Sequence, residues 1–279
     1  MQHHRLLVLF TLLANVAYAQ WLNFPTPGTP RTRDGKPNLA APTPRAANGK
    51  PDLSGVWHVQ PTPLAEMQRL FGEHVGDSNV PGMEIGTQSK YAFNILLAFK
   101  PENAPMRPEA EEIMRQRAQS GSPAESCLPL GIPLASLLSE PIKIVQGPRL
   151  ITILYEGDDK DRQIYTDGRT LPREFDQPAW SGYSVGKWDR DTLVVETAGF
   201  NDKSWLDLIG RPHSEALRIV ERYRRRDFGH MDSEVTFDDT RMYTRTFTIK
   251  VTYELWADSD IFEYYCNENE KDRAHMRKQ

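Results

Sequence analysis

The chain has 279 residues, 39% hydrophobic and 26% charged, with two cysteines and a formal net charge of -4. This is the composition of a globular protein with enough apolar residues for a core, and it excludes a disordered or collagen-like chain. The small negative balance gives no global attraction to nucleic acid, so no nucleic-acid partner is expected.

The chain opens MQHHRLLVLFTLLANVAYAQ, a polar start with Arg5, an apolar run from Leu6 to Val16 and the small-x-small triplet Ala17-Tyr18-Ala19. This predicts a signal peptide over residues 1–19, cleaved before Gln20, and hence an exported, periplasmic or extracellular protein. The apolar run is too short for an anchor and none later is longer, so no stable membrane insertion is expected. Residues 20–52 are rich in Pro, Gly, Asn and Thr without hydrophobic periodicity and read as an extended, flexible arm. The arm holds one echo, DGKPNL at Asp34–Leu39 and NGKPDL at Asn48–Leu53, a repeated turn signal too short to be a solenoid.

Residues 53–279 read as one domain, because a single barrel or sandwich of this size is ordinary. Leu53–Val59 is an aromatic and β-branched strand. Thr62-Pro63 forms an N-cap and N1 pair for a short helix ending near Gly72. A second helix is predicted from Pro108 to Gln119, with Glu109, Glu111 and Glu112 in its first turn and Arg115 and Arg117 near its end, as the helix dipole favours. After Cys127 the chain becomes short strands separated by turn clusters: 142–146, 150–156, 162–166, 182–188, 192–199, 215–226, 231–237, 244–256 and 261–266. The fold class is therefore mainly β, an antiparallel up-and-down barrel of lipocalin-like form or a two-sheet sandwich, with two short helices before the main sheet.

Cys127 and Cys266 are the only cysteines, and in an oxidising compartment they most simply make one disulfide, two separate buried thiols being the alternative. Neither has a Cys or His at ligand spacing, so no metal site and no cofactor are expected.

Strand 244–256 sets the ruler: Phe247, Ile249, Val251, Tyr253 and Leu255 alternate with polar residues, giving one buried and one wet face. Applied to GRPHSEALRIVERYRRRDFGH (Gly210–His230), the same period puts His213, Glu215, Leu217, Ile219, Glu221, Tyr223 and Arg225 on one face. Arg218, Val220, Arg222, Arg224 and Arg226 take the other, so most of the arginines are a solvated surface and not a binding patch. A buried carboxylate needs a partner or a raised pKa. Glu221 is thus either paired with Arg225 or a candidate general base. Glu215 and Glu221 lie about 20 Å apart along such a strand and belong to different sites. His213 with Glu215 orienting it is one candidate acid–base pair, and Glu221 with Tyr223 a deeper one; a structural Glu–Arg pair is the competing account. The H-x-E pair His213 and Glu215 lacks further ligands for a metal.

Gly182-Tyr183-Ser184-Val185-Gly186 fits the G-x-S-x-G nucleophile elbow, with Asp207 and His213 following in chain order. That chemistry needs a strand, a sharp turn and a helix, and here a turn leads into another strand. Tyr155, Tyr165, Trp180 and Tyr183, with Trp188 and Trp205 nearby, are candidates to line an apolar cavity or to pack the core, and Arg169 in the turn Tyr165–Arg169 is a candidate at a barrel mouth. Asn267, Glu268 and Asn269 place polar groups just after Cys266, where a disulfide anchor is the simpler account.

The strings GKPDLSGVW, CLPLGIP, GYSVGKWDRDTLVVETAGFND, PHSEALRIVERYRRRDFGH and YYCNENEKD together resemble a family of exported bacterial proteins, over most of the chain from Gly49 onward. The resemblance implies export and brings no catalytic residues with it. The similarity in pattern to lipocalin-like barrels is one of architecture and does not fix function. The leading expectation is a small-molecule pocket performing metal-independent acid–base chemistry, an isomerase, lyase or hydrolase on an apolar or aromatic substrate. A non-catalytic lipocalin-like binder and a serine hydrolase using Ser184 are the alternatives. The partner expected in each case is a small molecule; the oligomeric state is not fixed by the sequence.

Overall fold

The computed structural model describes residues 25–73, 88–158 and 161–266; the expected signal peptide and the 267–269 cluster lie outside them. Among the described residues nine strands close into a barrel in chain order: β1 (Gly55–Val59), β2 (Ile142–Gln146), β3 (Leu150–Tyr155), β4 (Arg162–Tyr165), β5 (Tyr183–Asp189), β6 (Thr192–Ala198), β7 (Arg218–Arg225), β8 (His230–Asp238) and β9 (Phe247–Leu255). Of the two expected forms, barrel and two-sheet sandwich, the barrel is the observed one, with β1 pairing β9 to close it. One seam departs from the antiparallel reading: β4 and β5 run parallel, with Ile164 opposite Ser184 and Tyr165 opposite Val185. A parallel pair needs a crossover, and residues 166–182 supply it.

Alternation explains the interior. Phe247, Ile249, Val251, Tyr253 and Leu255 of β9 are all buried, as are Met231, Ser233, Val235 and Phe237 of β8. Side chains from facing strands therefore fill the barrel with Trp57, Ile144, Ile153, Val195 and Ile219 among others.

Among the described residues three α-helices lie between β1 and β2: α1 (Leu64–Phe71), α2 (Lys90–Phe93) and α3 (Pro108–Ser120). Helix α1 anchors through Met67, which is fully buried. Thr62 does not cap it; its Oγ1 accepts a hydrogen bond from the Lys90 amide at 2.9 Å and so ties α1 to α2. Helix α2 was not legible as a periodic segment; Ser89 caps it by accepting from the Tyr91 amide. Helix α3 begins with Pro108 and buries only Ala110. None of the helices among the described residues is long and apolar enough to cross a membrane.

Residues 261–266 were expected to form a strand and do not. They run across the surface, with Tyr264 and Tyr265 exposed, to the disulfide between Cys266 and Cys127. That bond joins residues 139 apart in sequence.

The arm is docked on the barrel, where the composition suggested a flexible segment. Its two echoes fold into the same turn. Thr32 N bonds Lys36 O at 2.9 Å and Asn38 N bonds Pro30 O at 2.8 Å; Ala46 N bonds Lys50 O and Asp52 N bonds Pro44 O, both at 2.9 Å. Gly35 (φ +82°) and Gly49 (φ +77°) supply the left-handed residue each turn requires. The arginine that opens each turn then clips an aspartate of the barrel bidentately: Arg31 holds Asp258, and Arg45 holds Asp191. The strap is completed by the amides of Phe228 and Gly229, which donate to Ala41 O and Leu39 O.

Candidate functional site

Strand β7 keeps the predicted parity from end to end. Ile219, Glu221, Tyr223 and Arg225 are buried, and Arg218, Arg222 and Arg224 are exposed. The partner of Glu221 is not Arg225, because four residues along a strand separate those side chains by about 13 Å. It is Arg162 of β4, whose guanidinium donates to both carboxylate oxygens across the barrel. The remaining Arg162 donors reach Ser184 Oγ at 3.1 Å and Thr197 Oγ1 at 2.9 Å, and Tyr223 donates its hydroxyl to Glu221 Oε1 at 2.7 Å. Burial opposes the Arg162 charge, and Glu221 overrides it, so the guanidinium is held well above its ordinary range. Burial pushes the Tyr155 and Tyr223 phenols up and keeps both protonated. Tyr155 completes this layer through Ser136 Oγ at 3.4 Å. The predicted pair Glu221 and Tyr223 therefore meets inside the barrel, with both carboxylate oxygens already bound.

Ser184 sits within β5, 1% exposed, facing inward against Arg162 and Thr197. The nucleophile-elbow constellation does not assemble: Asp207 accepts from Arg211 Nη1 at 2.6 Å and from the Ile95 amide at 3.1 Å, away from His213.

The expected parity fails N-terminal to β7. A turn at Glu215 and Ala216 precedes the strand, which starts at Arg218. Ser214 makes that turn by accepting from the Ala216 amide, while Asp239 accepts from the Ser214 amide and hydroxyl. Glu215 is consequently exposed and does not orient His213. The orienting group is the Ser214 carbonyl, 3.2 Å from His213 Nδ1, and Nε2 lies 2.7 Å from Ser204 Oγ. With Nδ1–H donating to a carbonyl, Nε2 is the acceptor and Ser204 the donor. Burial, foremost, lowers the His213 pKa to about 4, so the ring is neutral at pH 7. Ser204 was missed by sequence reasoning, since a serine nine residues before a histidine in a loop carries no spacing signal. It is fully buried: a Cβ added at Gly131 (φ +71°) would stand 2.8 Å from both Ser204 Cβ and the Trp180 carbonyl oxygen.

The predicted aromatic lining divides among places. Tyr155 is inside the barrel, and the backbone of half-buried Trp180 packs at Gly131. Tyr165 and Tyr183 stack at 5.2 Å on the outside. Arg169 lies 3.8 Å over the Tyr165 ring, chelates Asp167 and donates to the Tyr183 hydroxyl at 2.8 Å. This cluster satisfies itself through contacts among its own members.

A groove of about 620 Å³ lies elsewhere, between the strap and the barrel. Thr26, Pro27, Gly28 and Thr29 form part of its wall, opposite Val56, Leu255 and Trp256. Asp258 fixes that wall by accepting from the Thr26 amide at 2.8 Å in addition to Arg31, while its own amide donates to Thr26 Oγ1 at 2.9 Å. Trp256 is 40% exposed, and Arg225 and Phe228 also line the groove. Its two sides come from segments 232 residues apart, so local periodicity cannot reveal it.

The chain matches no protein-family model, no curated protein and no solved structure.

Proposed function

We propose that this is an exported small-molecule-binding protein that holds an apolar or aromatic ligand in the groove between strap and barrel, without catalysing a reaction on it. The observation that carries the reading is the groove itself: about 620 Å³, walled by Pro27, Val56, Phe228, Leu255 and Trp256. Ligand sites are concave, mostly apolar and of roughly 300–1,000 Å³. The buried acid–base groups support the same reading from the other side. Glu221 is neutralised by Arg162, and among the described residues no free base stands beside Ser184, whose Oγ meets Arg162 and Thr197. Export is supported by the Cys127–Cys266 disulfide, which belongs to an oxidising compartment.

The test is a fluorescence titration with N-phenyl-1-naphthylamine, which brightens in apolar sites. Saturable binding is expected, together with its loss in Ala257→Trp, where a large ring enters the groove from a half-buried lining position. Binding unchanged by that substitution, at an unchanged thermal midpoint, would remove the groove from the account.

A second reading, hydrolysis or other acid–base chemistry at His213, rests on the 2.7 Å contact between its Nε2 and Ser204 Oγ. A neutral imidazole accepting from a serine is the arrangement a nucleophilic serine needs. Both groups are buried, so the reading requires the Gly131 loop to open. Covalent labelling of Ser204 by a fluorophosphonate would establish it, and absence of labelling in the native protein would count against it.

A further inference from the structure

We propose that the ligand of the groove is an organic anion, an apolar or aromatic body bearing a carboxylate or sulfonate that Arg225 receives. The inference rests on the groove reading above and adds the chemical class of the ligand to it.

Strand parity sends Arg225 inward at the end of β7, where it is 5% exposed and lines the groove. Its guanidinium lies over Trp57 at 4.8 Å and Phe228 at 5.1 Å. Its hydrogen bonds all go to main-chain oxygens: Asp227 and Phe228 from Nε, Asp52 and Ser54 from Nη1, and Phe228 again from Nη2. Carbonyl dipoles orient a cation without cancelling its charge. Arg162, the other guanidinium inside the barrel, has Glu221; no described carboxylate lies within ion-pair distance of Arg225.

The other charged groups at the groove are already engaged. Lys143 holds Asp260 at 2.7 and 2.9 Å, and the Asp52 carboxylate accepts from the Ser54 amide at 2.9 Å. An arginine fixed in orientation, poor in water and stacked on aromatic rings is a receptor for an oxyanion such as a carboxylate or sulfonate. The spare Nη2–H is the donor it retains after its main-chain bonds. Asp52 and Asp227 are the carboxylates whose charge reaches Arg225, and Asp260 at the groove is paired with Lys143; of these Asp52, a lining residue without a cationic partner, is the one whose charge is removed to test repulsion.

The experiment compares two probes with the same ring system, 8-anilinonaphthalene-1-sulfonate and the uncharged N-phenyl-1-naphthylamine, in fluorescence titrations of the full mature protein. The sulfonate is expected to bind about tenfold tighter than the neutral probe, a preference that Arg225→Gln abolishes and Arg225→Lys partly retains. Because Arg225 also ties down the 227–228 turn, Asp52→Asn provides a second arm that keeps the Ser54 cap; it should raise affinity for the sulfonate alone. Equal affinities for the two probes, with no effect of Asp52→Asn, overturn the anion inference and leave the groove reading intact. Failure of both probes to bind overturns the groove reading with it.

Discussion

Arg162 of β4 and Glu221 of β7 span the barrel interior as a doubly hydrogen-bonded ion pair, 2% and 4% exposed at their side chains. Breaking one side of such a pair leaves a buried charge without a counterion, which costs roughly 3–5 kcal/mol, whereas replacing both with apolar groups costs far less. Glu221→Leu should therefore destabilise strongly in urea denaturation, and Arg162→Met with Glu221→Leu should recover most of the loss. A double variant no better than the single one would mean that the Ser184 and Thr197 bonds, not the charge pairing, hold this layer.

His213 makes folding sensitive to acid. Its folded-state pKa of about 4 lies below the ordinary 6.5, so between these values the unfolded chain binds a proton that the native state refuses. Stability then falls as pH falls through that window, by about 3 kcal/mol in total, and does not change above it on account of this group. Asp202, Asp239 and Arg117 are the charges felt at the ring. The difference in unfolding free energy between wild type and His213→Gln, measured from pH 7.5 to 4, should shrink toward acid; a constant difference would mean the ring is not held neutral.

The disulfide closes a long loop, and chain entropy assigns such a crosslink about 4–5 kcal/mol. Cys127→Ser with Cys266→Ser should lower the denaturation midpoint accordingly while the barrel still forms. A loss below 1 kcal/mol would show that the 261–266 segment constrains little of the unfolded chain.

The strap clips act locally. Arg31 and Asp258 are partly exposed, so Asp258→Ala should leave the global unfolding midpoint near that of wild type. Amide hydrogen exchange over residues 26–38 should nevertheless accelerate, and affinity for N-phenyl-1-naphthylamine should fall as one wall loosens. Unchanged exchange there would place the anchoring of the strap in the Leu39 and Ala41 backbone bonds instead.

Much of the barrel was legible because its strands alternate cleanly: β9 reads from Phe247 to Leu255 without an exception, and β7 from Ile219 to Arg225. Parity also placed Glu221 and Tyr223 on one inward face. It failed at Glu215, where Ser214 and Asp239 bond the backbone locally and turn it before the strand begins. Arg162 was hidden for a different reason. A cation at an inward position looks like surface until its counterion, 59 residues later, is brought opposite by the closure of the barrel. The groove was hidden by the same distance effect: an arm poor in hydrophobic periodicity becomes a wall through partners far along the chain, Asp258 and Asp191 for Arg31 and Arg45 and the Phe228 and Gly229 amides for Ala41 and Leu39.

The most direct test of the central claim is a crystal structure of the protein grown with N-phenyl-1-naphthylamine. The account predicts the aromatic body in the groove, between Pro27 of the strap and Trp256 of the barrel, with the β7–β8 turn undisturbed. Density for the probe only at another site, with the groove empty of it, would contradict that claim.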